Sequence, residues 1–305
     1  MAKWLELSVG TTPEYVEPLS ELFRRYGEGG VVVQLEGDWD PDNDPADPGP
    51  PTSVTVTTYI PLDSTAGTRR EMIDVGVRLI SHLQPLAKLQ ERVLEETEWE
   101  EAWKAHFTLL RVGERLVIKP TWQEYSPGAQ DVIVELDPGM AFGTGHHPTT
   151  HMCLEEIDRR AGPGLRVLDV GTGSGILSIA AAKLGAEEIV ALDLDETALV
   201  AARDNIHANG VADKVRVFQG TLPHVEAPHG GFDLVAANIT ARAIATLAAH
   251  IADVLSDDGV LAASGIITER QAEAEEALAA VLEITERRYD GDWVLLLARH
   301  SSRPN

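Results

Sequence analysis

The chain has 305 residues, 44% of them hydrophobic, with 25 basic and 49 acidic residues for a net charge of −24. That is enough for two domains with buried cores, and no apolar run approaches the roughly 18 residues of a membrane span. The charge disfavours nucleic-acid backbones, and Cys153, the single cysteine, rules out an internal disulfide or a cysteine-based metal cluster.

In chain order, residues 4–9 (Trp-Leu-Glu-Leu-Ser-Val) alternate as a half-buried strand does. Their early charge and the lack of a signal-peptide core predict a soluble, cytoplasmic protein. Thr12-Pro13 predicts a helix start running to about Tyr26, which Gly29-Gly30 breaks before a strand over Val31–Leu35. Residues 37–51 are almost all Asp, Pro, Gly and Asn, which predicts a mobile hairpin tip. A strand over Val54–Ile60, a helix over Thr68–Leu83 and a strand over Leu89–Leu94 complete a βαββαβ order, the split-βαβ, ferredoxin-like arrangement. An RNA-binding version would carry bases and paired aromatics on its central strands. Val54–Tyr59 offers one aromatic and no base. Thr97-Glu98-Trp99-Glu100 reads as a capping box, placing Trp99, Trp103 and Phe107 on one stripe that docks on a core.

From Leu165 strands and helices alternate, the mark of a parallel, doubly wound sheet. The strand Arg166–Val170 runs into Gly171-Thr172-Gly173-Ser174-Gly175 and a helix over Ile176–Leu184. Such a turn lets a ligand lie against backbone N–H groups at a helix start. The dinucleotide fingerprint wants a third glycine at 176, where this chain has isoleucine. The next strand ends in Asp193, an acid that can accept from both ribose hydroxyls. A helix over Glu196–Asn209, strands over Val215–Gln219, Phe232–Asn238 and Val260–Ser264, and a closing hairpin of Leu282–Tyr289 with Trp293–Arg299 follow. Ligands of open α/β sheets bind at the carboxyl ends of the strands, so Gly171, Gly173, Asp193 and Asn238 are expected to share one crevice. With the terminal hairpin, this set resembles the class I methyltransferases, whose cofactor is S-adenosylmethionine.

Asp137-Pro-Gly-Met-Ala-Phe-Gly-Thr-Gly-His-His-Pro-Thr-Thr150 lies just ahead, after a strand over Val132–Leu136 and before a helix starting near Pro148. It reads as a lid rich in backbone donors, with Phe142, Gly143 and Thr144 as cofactor-binding candidates and hydroxyls at Thr149 and Thr150. His147 and His151 share a helical face, but no third ligand is evident and no metal is expected. This string is similar to the signature of the ribosomal protein L11 methyltransferases, the PrmA family, and the resemblance covers nearly the whole chain. It implies a Rossmann-like α/β catalytic domain over 131–305 with a terminal antiparallel hairpin. A linker helix and connecting strands at 96–130 and an α+β ferredoxin-like recognition domain at 1–95 precede it. It also implies methylation of lysine and N-terminal amines of ribosomal protein L11; a monomer without nucleic-acid or membrane partners is the expectation beside it. The family's cofactor contacts match Thr150, Gly171, Asp193 and Asn238. The acidic segment 37–51 has no counterpart in the family pattern.

For catalysis, Asn238 can accept an amine N–H and aim the lone pair, and His147 is either a base or a shaper of the loop. Amide and nucleobase amino-methyltransferases carry two prolines and an aromatic after this position; Asn238-Ile239-Thr240-Ala241 lacks them, which favours an sp³ amine. Another protein or a small amine as substrate, and an inactive cofactor-binding module, are the alternatives. Only 6 of the 25 basic residues are lysine, so the acidity fits salt adaptation as well as capture of a basic partner.

Overall fold

The computed structural model describes residues 3–36, 53–82, 85–99, 108–136 and 145–301. Its contacts divide the chain into two compact units, Met1–Phe107 and Thr108–Asn305. The first unit holds β1 (Lys3–Thr11), α1 (Val16–Tyr26), β2 (Glu28–Glu36), β3 (Ser53–Pro61), α2 (Ala66–Ser81) and β4 (Gln90–Glu95). Its antiparallel sheet has the order β2-β3-β1-β4, the split-βαβ topology expected from the element order. Strand alternation puts Leu5, Leu7 and Val9 of β1 with Val56 and Ile60 of β3 on the face that α1 and α2 cover with Leu19, Phe23, Ile73 and Val77. On another cluster, Trp4 stacks on Trp99 with ring centroids 4.1 Å apart, and Tyr59 meets Trp99 edge-on at 6.4 Å.

Three local expectations shift. Pro13 opens a 3-10 turn, Pro13–Tyr15, and α1 begins only after it. Gly29-Gly30 lies inside β2, where the register with β3 slips between Glu28 and Val31; two glycines make a bulge here instead of a break. The linker helix starts at Glu96, and Glu98, not Glu100, reaches back to accept from the Glu95 N–H at 3.0 Å. Trp103 and Phe107, the segment 37–51 and the lid residues 137–144 lie outside the described residues.

The second unit opens with β5 (Leu110–Val112), β6 (Leu116–Lys119) and β7 (Val132–Glu135), a small sheet of its own in that order. The β5–β6 turn is tied to α3 (Pro148–Arg160) by buried Asp158, which accepts from the Glu114 N–H at 2.8 Å and pairs with Arg115 at 3.2 Å. Then come β8 (Arg166–Val170), α4 (Ile176–Lys183), β9 (Glu188–Asp193), α5 (Glu196–Ala208), β10 (Val215–Gln219) and β11 (Phe232–Asn238). The chain closes with α6 (Ala241–Val254), β12 (Leu255–Ile267), α7 (Gln271–Ala279), β13 (Glu283–Asp290) and β14 (Trp293–Arg299).

The large sheet has seven strands in the order β10-β9-β8-β11-β12-β14-β13, parallel except for β14, which runs antiparallel to both neighbours. Both faces are covered: Ile157, Ile176, Ile179, Ala202 and Ile206 of α3, α4 and α5 pack on one, and Ile244, Ile251 and Leu278 of α6 and α7 on the other. That is why the strands read as apolar runs. The strand order reverses between β8 and β11, and ligands of such sheets sit at the carboxyl ends beside this point.

Candidate active site

The chain turns from β8 into α4 through Gly171, Gly173 and Gly175, whose φ angles are 77°, 55° and 83°. Side chains rarely adopt that region, so glycine is what lets the backbone fold into a cradle here. A Cβ on Gly175 would lie 3.3 Å from the Ala202 backbone, so the turn also packs closely on α5. The cradle is pinned on several sides. The Gly171 and Thr172 N–H groups donate to the Leu192 carbonyl at 2.8 and 3.0 Å, and Asn205 Nδ2 donates to the Ser174 carbonyl at 2.8 Å. The Gly173 N–H donates to Asp193 Oδ2 at 2.9 Å, and the Asp195 N–H to Oδ1 at 3.0 Å.

Asn238 ends β11, and its Nδ2 donates to Thr150 Oγ1, in the first turn of α3, at 3.1 Å. Its Oδ1 is buried and has no hydrogen-bond partner among the described residues. His147 caps α3: Nδ1 faces Thr149 Oγ1 at 2.8 Å and the Thr149 N–H at 3.4 Å, while the ring sits edge-on to Trp293 at 4.8 Å. The expected Gly171, Gly173 and Asp193 therefore come together at one hydrogen-bonded turn, and Asn238 joins Thr150. Phe142, Gly143 and Thr144 lie outside the described residues. No cluster of three metal-binding side chains occurs among the described residues.

Asp169, two residues ahead of the glycine turn, carried no assigned role in the reading of the sequence. It is fully buried in β8, accepts from Thr172 Oγ1 and Ser178 Oγ at 2.7 Å each, and keeps Oδ1 without a partner among the described residues. Burial pushes its carboxyl up to about 6, against the pull of the two hydroxyls. The signal was present: an acid inside the apolar strand Arg-Val-Leu-Asp-Val, two residues before the glycine turn. Asn205 was equally silent, because its partner is a backbone carbonyl 31 residues away.

The unpartnered oxygens of Asp169 and Asn238 are acceptors beside a backbone cradle, and Asp193 keeps spare lone pairs. A ligand carrying ribose hydroxyls and an ammonium, as S-adenosylmethionine does, is made of the matching donors.

The profile of the ribosomal protein L11 methyltransferase (PrmA) family matches residues 3–301. The chain belongs to this family. It is accordingly a methyltransferase, with S-adenosylmethionine as its methyl donor. Among its relatives, the ribosomal protein L11 methyltransferase of Chloroflexus aurantiacus is 44% identical, over 97% of this chain and 98% of that protein. The one from Pelotomaculum thermopropionicum is 42% identical, over 97% and 99%. The crystal structure of a ribosomal protein L11 methylase from Lactobacillus delbrueckii subsp. bulgaricus aligns with a TM-score of 0.58 and 35% identity, covering 63% of this chain and 99% of that one.

Proposed function

We propose that this methyltransferase acts on amines of ribosomal protein L11, at lysine side chains and the N-terminal α-amine, and that the observation carrying this reading is the free carbonyl of Asn238. In this reading Gly171, Gly173 and Asp193 hold the cofactor's ribose side, and Thr150 fixes the amide of Asn238 so that Oδ1 faces the incoming amine. Phe142, Gly143 and Thr144 would add further cofactor contacts in this reading. Bound there, the cofactor supplies an electrophilic methyl group on a sulfonium.

The attacking amine must be neutral. For a lysine at pH 7 that costs about 4.6 kcal/mol, and for an α-amine about 1 kcal/mol. A buried setting disfavours the ammonium and offsets part of this cost. Oδ1 of Asn238 then accepts one remaining N–H and points the lone pair at the methyl group. Orientation of this kind is worth roughly 7–11 kcal/mol. No side chain needs to be a strong base in this scheme, because the ammonium gives its proton to solvent water before attack. His147 contributes by capping α3 and so setting Thr150, its neighbour in the first helical turn. The cytoplasm, where a ribosomal protein would be met, is the expected compartment.

The test is methyl transfer from labelled S-adenosylmethionine to purified ribosomal protein L11, with the labelled residues mapped by mass spectrometry. Label on lysine or α-amino nitrogens is the expected result. Purified L11 that stays unlabelled would overturn the substrate assignment.

A further inference from the structure

Ile239, which follows Asn238, packs against two glycines that no sequence motif connects, one at its backbone and one at its side chain. Ile239 donates its N–H to the Ser264 carbonyl at 3.1 Å, just where the β11–β12 pairing ends at Asn238 opposite Ser264. Beyond Ser264, β12 bulges: its register with β14 slips between Ala263 and Ile266. Gly265 is the bulge residue, with φ of 80°. A Cβ there would lie 2.5, 2.8 and 2.9 Å from the O, C and N atoms of Ile239, all backbone, which cannot swing aside as a side chain can. At the side chain, a Cβ on Gly171 would lie 2.4 Å from Ile239 Cγ2. The far flank of the bulge is fixed as well, since fully buried Ser264 donates its hydroxyl to the Val294 carbonyl at 3.1 Å.

We infer that Gly265 is a positioning residue for methyl transfer: its bulge and Gly171 seat Ile239 and thereby set where Asn238 stands. The inference rests on the amine-orienting role proposed for Asn238. Thr150 fixes the amide of Asn238 from the side-chain end, and Gly265 fixes the backbone it hangs from. The cofactor turn and the amine-facing residue thus share one wedge, Ile239, which touches Gly171 directly. A shift of the Ile239 peptide by a fraction of an ångström moves Asn238 relative to a methyl group that must be met in line.

The experiment compares Gly265→Ala with Gly291→Ala by single-turnover methyl transfer and by calorimetric binding of S-adenosylhomocysteine. Gly291, in the β13–β14 turn, also has positive φ, at 55°, but nothing lies within 4 Å of its would-be Cβ, so it carries the backbone strain without the wall. Gly265→Ala is expected to slow transfer roughly 10- to 100-fold while cofactor affinity changes by less than about threefold, whereas Gly291→Ala leaves both near wild type. Added to Asn238→Ala, Gly265→Ala should slow transfer little further, because both act at one point. Ile239→Ala, a milder change in a half-buried side chain, provides the same reading if Gly265→Ala does not fold, with slowed transfer that is again non-additive with Asn238→Ala. Wild-type transfer in a folded Gly265→Ala, or in Ile239→Ala where the first does not fold, would overturn the inference. So would fully additive losses. If Asn238→Ala itself transfers at the wild-type rate, the amine-orienting role fails instead, which is a separate outcome.

Discussion

The carboxylate of Asp193 has about four lone-pair sites, and the described contacts use two, on the N–H groups of Gly173 and Asp195. The spare capacity is what ribose hydroxyls would take up, and the same side chain braces the cradle that receives them. Asp193→Ala is therefore expected to lose about 1.5–3 kcal/mol of cofactor binding, roughly 10- to 100-fold in Kd. Calorimetry with S-adenosylhomocysteine checks this, and unchanged affinity would remove Asp193 from the site. Asp169 makes a different prediction, about pH. Its folded pKa, about 6, stands above the ordinary carboxylate value near 4, so the native state holds the proton more tightly than the unfolded chain does. Stability then falls as pH rises through the window from about 4 to about 6, by about 3 kcal/mol in all, and is flat above it. Asp169→Asn cannot ionise and should lack this slope. Urea unfolding of the cofactor-free protein across that window measures the difference between the two. Identical pH profiles would show that Asp169 is not held protonated by burial.

At the scale of elements, the catalytic half was legible because apolar runs alternate there with helical segments, and the ends of β8, β9 and β11 carry recognisable residues. β8, β10, β11 and β14 match their expected bounds, β13 is shifted by one residue, and β9 ends at Asp193 as expected. What the pattern hid has a physical cause in each case. β12 runs from Leu255, not Val260, because Ser256-Asp-Asp-Gly259 looks like turn chemistry while its backbone still belongs to the strand, with Asp257 and Asp258 exposed. β5 to β7 show short polar and apolar stretches whose role is set by tertiary contacts. Val112, Leu116 and Ile118 join the same core cluster as α3 and α4, and Gly145, beside the lid, lies against Leu110, Ile118 and Ile176. A fragment starting at Thr108 is therefore expected to fold and bind S-adenosylhomocysteine, whereas one starting at Val132 loses β5 and β6 and exposes that cluster. Thermal melts and calorimetry on both fragments decide it. A stable, cofactor-binding Val132 fragment would mean the small sheet is dispensable.

For the whole molecule, the charge of −24 is spread over a chain whose proposed substrate is a basic protein, and this sets up a test that no single residue offers. If the carboxylates steer a basic ribosomal protein, the attraction acts at long range, before any contact forms. Raising salt shortens the Debye length from about 10 Å at 0.1 M to about 3 Å at 1 M and removes that steering. The loss should sit in the association rate, because dissociation and chemistry depend on contacts already made. The same acidity read as adaptation to a salty interior gives the opposite trend, with association flat or rising as screened carboxylates stop repelling one another. Lysine scarcity and aspartate abundance fit both, which is why the sequence left the question open. Stopped-flow association of the full chain with purified ribosomal protein L11 across 0.1–1 M salt, about the range over which screening changes most, separates them. Electrostatic capture predicts a steep fall in the association rate with little change in the dissociation rate. A flat or rising association rate would assign recognition to shape and apolar contact instead, and would make the acidity a property of the protein's surroundings.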